Sequence, residues 1–509
     1  MDIPLSPAFY SLPSSSTSSE SLPDGCPFLT LPPELVDTII RHLSPHDLIS
    51  VAATCSTLRK HALSDIIWHP LVQENVPGVQ LTSPAPCGSY HELYAAHDLV
   101  WFLPRYKIWF CDRDLMGGII LIRYDPRRGC IEGYRLLAVG KPTTVEPWPT
   151  HSEVSIHGFE PQVGLHLDKP VLRFRIRQPG DDGGFSKRPG ANRFADEISM
   201  ELYDDFESLF SNFLLARPLD PKIATQKLTS GYPYGNVWPP PAMPAHHHIS
   251  RVLDQQDILN LDPNDRPRRR SEVSDQTFRV RKWMEMAGGP APVQNIGWMQ
   301  ALTFIASSVG IHVGEELISY STVDPDLYTP TPLKPWRGIW VGDYSGHGCE
   351  FILIHQPDDP PVTDAELGLE RADTETDAEW ESRKTAAHTY RGRLEAIKLT
   401  GDPNVPRGEH TFIVDDLGPA GYIGDATDPP FEGVRVVNSR GRVAGTGFVG
   451  GESKYQSKAE RRLTRYPGTE KFIESQLFLI SHDRLAQYWV GFEHISFFER
   501  VDIDKLLKP

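Results

Sequence analysis

Between residues 31 and 72 apolar positions recur at helical spacing. Leu35, Ile39 and Leu43 repeat every four residues, Val36 and Ile40 widen the stripe, and the Pro32-Pro33 pair before them suits a helix start. Ser44-Pro45-His46-Asp47 then interrupts the run: Ser44 suits an N-cap, Pro45 the first helical position, and Asp47 the positive end of a helix dipole. A second helix carrying Leu48, Val51, Ala52 and Cys55 follows, and a third, shorter segment runs from Leu58 towards Trp68. So short a module buries too small a fraction of its surface to stand alone, and a partner is expected.

The period changes after the Pro/Gly/Ser-rich "VPGVQLTSPAPCGSY". Trp101 to Val139 shows short runs of Ile, Leu, Tyr and Trp punctuated by Asp-Pro, Gly-Gly and Arg-Gly, which predict successive strands with tight turns; "PVLRFRIR" alternates residue by residue. From Trp336 onward, "RGIWVGDYSGHGCEFILIHQ", "RGRLEAIKLTGDPNVPRGEHTFIVDDL", "VRVVNSRGRVAGTGF" and "SQLFLISHDRLAQYWVGFEHISFFERV" are strand-like runs with no long helices between them. That favours an antiparallel sheet or barrel over a parallel α/β sheet. In the centre, about residues 190–310, "FADEISMELYDDFESLFSNFLLA" and parts of "QTFRVRKWMEMA" and "IGWMQALTFIASSV" have helical spacing and predict helices inserted between two β segments. An acidic stretch, about 357–385, predicts a mobile surface insertion.

Composition narrows the function classes. A net charge of -16 argues against nucleic-acid and anionic-membrane partners. No apolar run approaches the roughly 20 residues that span a bilayer. Residues 1–28 read as a Ser/Pro-rich disordered tail without signal-peptide character, which points to the cytoplasm and/or nucleus. The six cysteines include no C-x-x-C pair, so free thiols are expected, and the adjacent His246, His247 and His248 do not suit a metal site. No cofactor and no catalytic motif is expected, since G-x-S-x-G, H-E-x-x-H and the P-loop are all absent. "RPRRRSEV", Arg266 to Val273, is a basic island that reads as an exposed charged loop; the alternatives are a nuclear-import signal or a site where phosphorylation of Ser271 partly cancels the local charge.

One stretch raises nucleotide binding. Gly445, Gly447 and Gly450 in "VAGTGFVGG" have the G-x-G-x-x-G spacing, but the following "ESKYQSKAERRLTRYPGTEK" has no apolar stripe to pack a helix on a sheet. The glycines are better explained by backbone passing close to neighbours or bending at a barrel corner, with Phe448 packed beside them. Trp489 and Phe492 are expected in the core.

Leu31-Pro32, Glu34-Leu35, Ile39, Leu43, Asp47-Leu48, Val51, Cys55, Leu58 and Trp68 together resemble an F-box, the helical module that docks on the Skp adaptor of a Skp-cullin-F-box ubiquitin ligase. The resemblance implies an adaptor-facing surface of Leu31, Pro32, Leu35, Ile39, Leu43 and Leu48. The C-terminal part resembles the F-box-only substrate-receptor family with a cyclin-D-binding-type β domain, most specifically in "LTGDPNVPRGEHTFIVDDL" and "YWVGFEHISFFERVD". What this implies is a substrate-recognition barrel that takes a target protein, with Tyr344, His347, Gly348, Asp402, Asn404 and Phe448 as substrate-binding residues.

The expected fold is thus α+β: a small helical F-box (29–75), then a large antiparallel β-barrel-like domain (95–509) with helical insertions. The expected function is that of a non-catalytic substrate receptor, with the adaptor and, through it, a cullin scaffold as partners. A β-barrel that holds a small ligand, with the F-box controlling its own turnover, is the alternative.

Overall fold

The computed structural model describes residues 27–111, 117–140, 144–176, 193–200, 202, 211–218, 266–283, 315–344, 348–402, 405, 407–443 and 472–509. The chain opens with α1 (Pro33–Ile40), α2 (Pro45–Ala52), α3 (Ser56–Ala62), α4 (Asp65–Gln73), α5 (Tyr90–Ala96) and α6 (Phe102–Tyr106). Ser44 caps α2 as expected, its Oγ accepting the Asp47 N–H at 3.2 Å. The expected third segment from Leu58 to Trp68 divides into α3 and α4, because the Ser64 side chain accepts the Ile66 N–H and starts a new helix.

Two sheets follow. The first is open and antiparallel, in the order β6 (Pro161–Arg175), β3 (Cys130–Gly140), β2 (Gly118–Asp125), β1 (Ile108–Cys111), β10 (Glu315–Ser321), β9 (Thr277–Trp283), β8 (Ser211–Leu215), β7 (Ile198–Ser199). The second runs β11 (Gly338–Asp343), β12 (Cys349–His355), β13 (Leu394–Lys398), β14 (His410–Val414), β16 (Arg435–Arg442), β17 (Phe472–Leu479), β18 (Arg484–Trp489), β19 (His494–Arg500). Pairing of β11 with β19, Trp340 opposite Arg500 and Gly342 opposite Phe498, closes these eight strands into a barrel. Closure leaves no free edge among them. The hairpin of β4 (Val145–Trp148) and β5 (His151–His157) attaches to β19, and β15 (Tyr422–Asp425) attaches to β16.

Strand alternation sorts the apolar residues into three cores. In β1 and β2, Trp109, Ile120 and Ile122 pack against the helices, whereas Ile108, Phe110, Ile119 and Leu121 pack against the outer wall of the barrel through Ile339, Val341, Phe351 and Leu353. Strands β1 and β2 are therefore buried on both faces, which explains the unbroken apolar runs "IWF" and "GIILI". A third cluster draws on all eight barrel strands, including Trp340, Ile352, Leu394, Phe412, Leu477 and Phe498, and fills the barrel interior. The C-terminal helix α8 (Ile503–Leu507) joins the layers: Arg123 donates to the carbonyls of Leu506 and Lys508, and Leu507 lies against Gly78.

Three expectations need correction. Where helical spacing predicted helices in "FADEISMELYDDFESLFSNFLLA" and "QTFRVRKWMEMA", the described residues Ile198–Ser199, Ser211–Leu215 and Thr277–Trp283 are strands β7, β8 and β9. Phe213, Leu215, Phe278 and Val280 alternate into the core, cross-strand pairing overrides a weak helical period there, and the rest of the two helical runs, 201, 203–210 and 284–287, lies outside the described residues. "IGWMQALTFIASSV" lies outside the described residues. Trp101 to Tyr106 forms α6 and its cap, not a strand, because Trp101 and Leu103 bury into the helical layer. The acidic insertion carries a helix, α7 (Asp377–Thr389), opened by a capping box between Thr376 and Glu379. Its charges pair internally, Arg383 with Glu375 at 2.8 Å and Lys384 with Asp364 at 3.2 Å, so the acidic run does not simply repel itself. Among the described residues no helix is long and apolar enough to cross a membrane.

Candidate functional site

Two surfaces are candidates, one on the helices and one at the end of the barrel. In α1, Val36 and Ile40 turn inward, which leaves Leu35 and Ile39 on the outer face, 50% and 48% exposed. Pro32 is exposed, and Leu31 and Leu43 are half-buried against the helical core. Leu48 departs from the expected adaptor-facing set: it is fully buried, because the Ser44 cap sets the start of α2 so that Leu48 points at the core. Ile66, which the sequence analysis did not single out, is 63% exposed on α4. The His61 Nδ1–Asp37 contact of 2.7 Å ties α3 to α1, and Trp68 Nε1 donates to the Ala62 carbonyl at 2.7 Å. The apolar face of α1 is thus held rigidly in water.

The second surface is the barrel mouth formed where β11, β13, β16 and β18 end and β12, β14 and β19 begin. A recess of about 180 Å³ opens there, lined by Tyr344, Lys398, Asp402, Arg442, Trp489 and His494 among others. Lys398 is an inward-facing cation at the end of a strand otherwise buried in apolar surroundings, and its side chain is 1% exposed. Its Nζ donates to Glu350 Oε2 at 2.5 Å and to Asp402, and lies 4.2 Å from the centre of the Tyr344 ring. The Tyr344 hydroxyl bonds Thr411 Oγ1 at 2.9 Å. Burial, reinforced by the Glu350 carboxyl beside it, holds the Tyr344 phenol well above its ordinary range. Burial also pushes the Glu350 carboxyl up to about 8, against the opposing pull of Lys398. The desolvation cost wins there, so Glu350 keeps its proton at neutral pH despite the adjacent ammonium.

The other wall is aromatic. Trp489 lies 6.2 Å from His494 at an interplanar angle of 20°, and His494 stacks on His157 at 5.1 Å. Burial, with His157 beside it, lowers His494 to about 4, so the His494 ring is uncharged at neutral pH. Trp489 Nε1 donates to Ser496 Oγ at 3.1 Å. Gly441 is needed because a Cβ there would overlap the Trp489 ring.

Of the expected substrate-binding residues, Tyr344 and Asp402 line this recess and Gly348 immediately precedes β12 beside it. His347, Asn404 and Phe448 lie outside the described residues, as do the glycines of "VAGTGFVGG" and the three adjacent histidines; Val443, which opens that glycine stretch, lines the recess. Trp489 and Phe492, expected as core, line the recess too, since β18 ends at its rim. Lys398 and Glu350 were missed. Their signal was a charge at an inward position of an otherwise apolar strand, visible only once the strand's facing is known. Among the described residues no cluster suits a metal ion.

Comparison with known families matches both surfaces. Residues 28–74 match the F-box-like model, and residues 320–505 match the model of the cyclin D1 binding domain. The chain carries an F-box and a cyclin D1 binding domain. No curated protein matches the chain. The F-box match takes in α1 to α4, with Leu35 and Ile39 on its outer face. The match to the cyclin D1 binding domain takes in all eight barrel strands and the whole described mouth apart from the β4–β5 hairpin, which supplies His157.

Proposed function

We propose that the chain is the substrate-receptor subunit of a Skp-cullin-F-box ubiquitin ligase. The F-box binds the adaptor through Leu31, Pro32, Leu35, Ile39 and Leu43, with Leu48 supporting that face from the core, and the barrel mouth holds a segment of a target protein. The chain then contributes proximity and the other subunits the chemistry. Its place of work would be the cytoplasm or the nucleus.

The observation that carries this reading is the pairing of an exposed apolar helix face with a barrel whose described interior is filled by side chains and whose mouth holds a recess. A small ligand inside the barrel is disfavoured, because Trp340, Phe412 and Phe498 occupy the interior. Each large aliphatic side chain buried by the adaptor contributes roughly 1.5–3 kcal/mol. Leu35→Asp with Ile39→Asp should abolish co-purification of the adaptor, and undiminished co-purification would end the assignment. Phe492→Asp, at the rim and away from the F-box, should keep the adaptor and lose proteins that accumulate when the ligase is inhibited; unchanged capture would remove the mouth from the proposal.

A further inference from the structure

The basic island has a structure that the adaptor and target surfaces do not use. Arg268, Arg269, Arg270 and Ser271 are consecutive and all exposed. Ser271 sits in a single 3₁₀ turn, Arg270–Glu272, held by two backbone hydrogen bonds of 3.0 Å, Glu272 N–H to Arg269 and Val273 N–H to Arg270. Arg270 leaves the island and reaches the helical layer, where its Nη1 donates to both oxygens of Asp98 at 2.9 and 2.7 Å. Arg193 donates to the same carboxylate at 3.0 Å. Asp98 is 8% exposed and follows the end of α5, so Arg270 fastens the first sheet to the helical module.

We propose that Ser271 is a phosphorylation site for a protein kinase that reads arginines two and three residues before its target, and that the phosphate draws Arg270 away from Asp98. Arg268 and Arg269 occupy those two positions. Kinase grooves that select such substrates are acidic and take the peptide extended, and a turn held by two backbone bonds is easily opened. In the transfer, Ser271 Oγ bonds to the γ-phosphorus of a bound nucleoside triphosphate. The bond from that phosphorus to the bridging oxygen breaks, the diphosphate leaves, and the hydroxyl proton passes to the kinase's base or to water.

The product carries a charge of about -1.5 to -2 and three acceptor oxygens next to Arg270 in sequence, which outmatches the single charge of Asp98. The island already stabilises an anion. Glu272 accepts the Arg268 N–H at 2.8 Å, and that bond, with Arg217, Arg269 and Arg268 nearby, holds its carboxyl below the ordinary range.

The test incubates the purified full-length chain with ATP and the catalytic subunit of cyclic-AMP-dependent protein kinase, and maps phosphate by mass spectrometry. One phosphate at Ser271 is expected, absent in Ser271→Ala and incorporated at least about tenfold more slowly in Arg268→Ala/Arg269→Ala. No phosphate at Ser271, or a rate indifferent to the two arginines, overturns the site. Backbone hydrogen exchange at residues 97–101 then reads the release. It should quicken severalfold on phosphorylation and equally in unphosphorylated Arg270→Ala; full phosphorylation with unchanged exchange overturns the second half of the proposal.

Discussion

Replacing Lys398 by Met removes the cation at the centre of the barrel mouth while keeping most of the side chain's volume. The ammonium is 1% exposed and shared by Glu350, at 2.5 Å, and Asp402, both nearly as deeply buried. Removing one partner of a buried charged group typically costs about 3–5 kcal/mol, because the remaining charge is left uncompensated, and the lost contact with the Tyr344 ring adds to this. Loss of the ammonium, which pulls Glu350 down, leaves that carboxyl raised further, so it keeps its proton from pH 6 to pH 8 and the charge left uncompensated is that of Asp402. The assay is amide hydrogen exchange of β13 and β14, in the regime where exchange reports the free energy of opening. At tenfold per roughly 1.4 kcal/mol, exchange near pH 8 should quicken by about two to three and a half powers of ten. An increase below tenfold would refute the reasoning.

The same site predicts a pH dependence in the unaltered protein. Glu350 is held up to about 8 from an ordinary value of 4.5, so its contribution to stability is full below the ordinary value and is lost as pH rises through about 8. Barrel stability should therefore fall by up to roughly 1.4 kcal/mol per pH unit in that window, and Glu350→Gln should flatten the fall in denaturant titrations at each pH; an unchanged slope would count against it. In the helical module, Leu48→Ala should cost about 2–5 kcal/mol of stability by opening a cavity. Leu35→Ala should instead change stability by under about 0.5 kcal/mol and act on adaptor binding alone, as read by urea unfolding beside co-purification. Gly441→Ala should force the Trp489 ring aside at a cost of about 1–3 kcal/mol and shift its fluorescence, while an unaltered spectrum would show that the contact is slack.

The helices at the N-terminus were legible because their signals are local. A proline at the first turn, a Ser44 cap and an apolar stripe act within a few residues, and α1 and α2 begin where those signals stand. The C-terminal strands were legible for a similar reason, since two-residue alternation and Gly or Asp turns are read within each strand. The centre misled because "SNFLLA" and "TFRVRKW" fit more than one period over so few residues, and pairing of β8 with β9 and of β9 with β10 decided between them. The acidic stretch misled because net charge says nothing about which charges meet.

By itself, then, the order of residues determined a helical module with an apolar stripe and an antiparallel β domain; that Tyr344 and Asp402, named through the family resemblance, line one recess is a result of the fold. The tertiary structure decided which side of each element is wet. Leu35 and Leu48 are alike in the sequence, yet one faces solvent and the other the core, because the orientation of α2 depends on what α1 and α3 leave open. Lys398 and Glu350 lie 48 residues apart and become partners only when β12 pairs with β13, Ile352 opposite Lys398, and the packed barrel turns that face inward. Facing is a property of packing between distant segments, and no local pattern carries it.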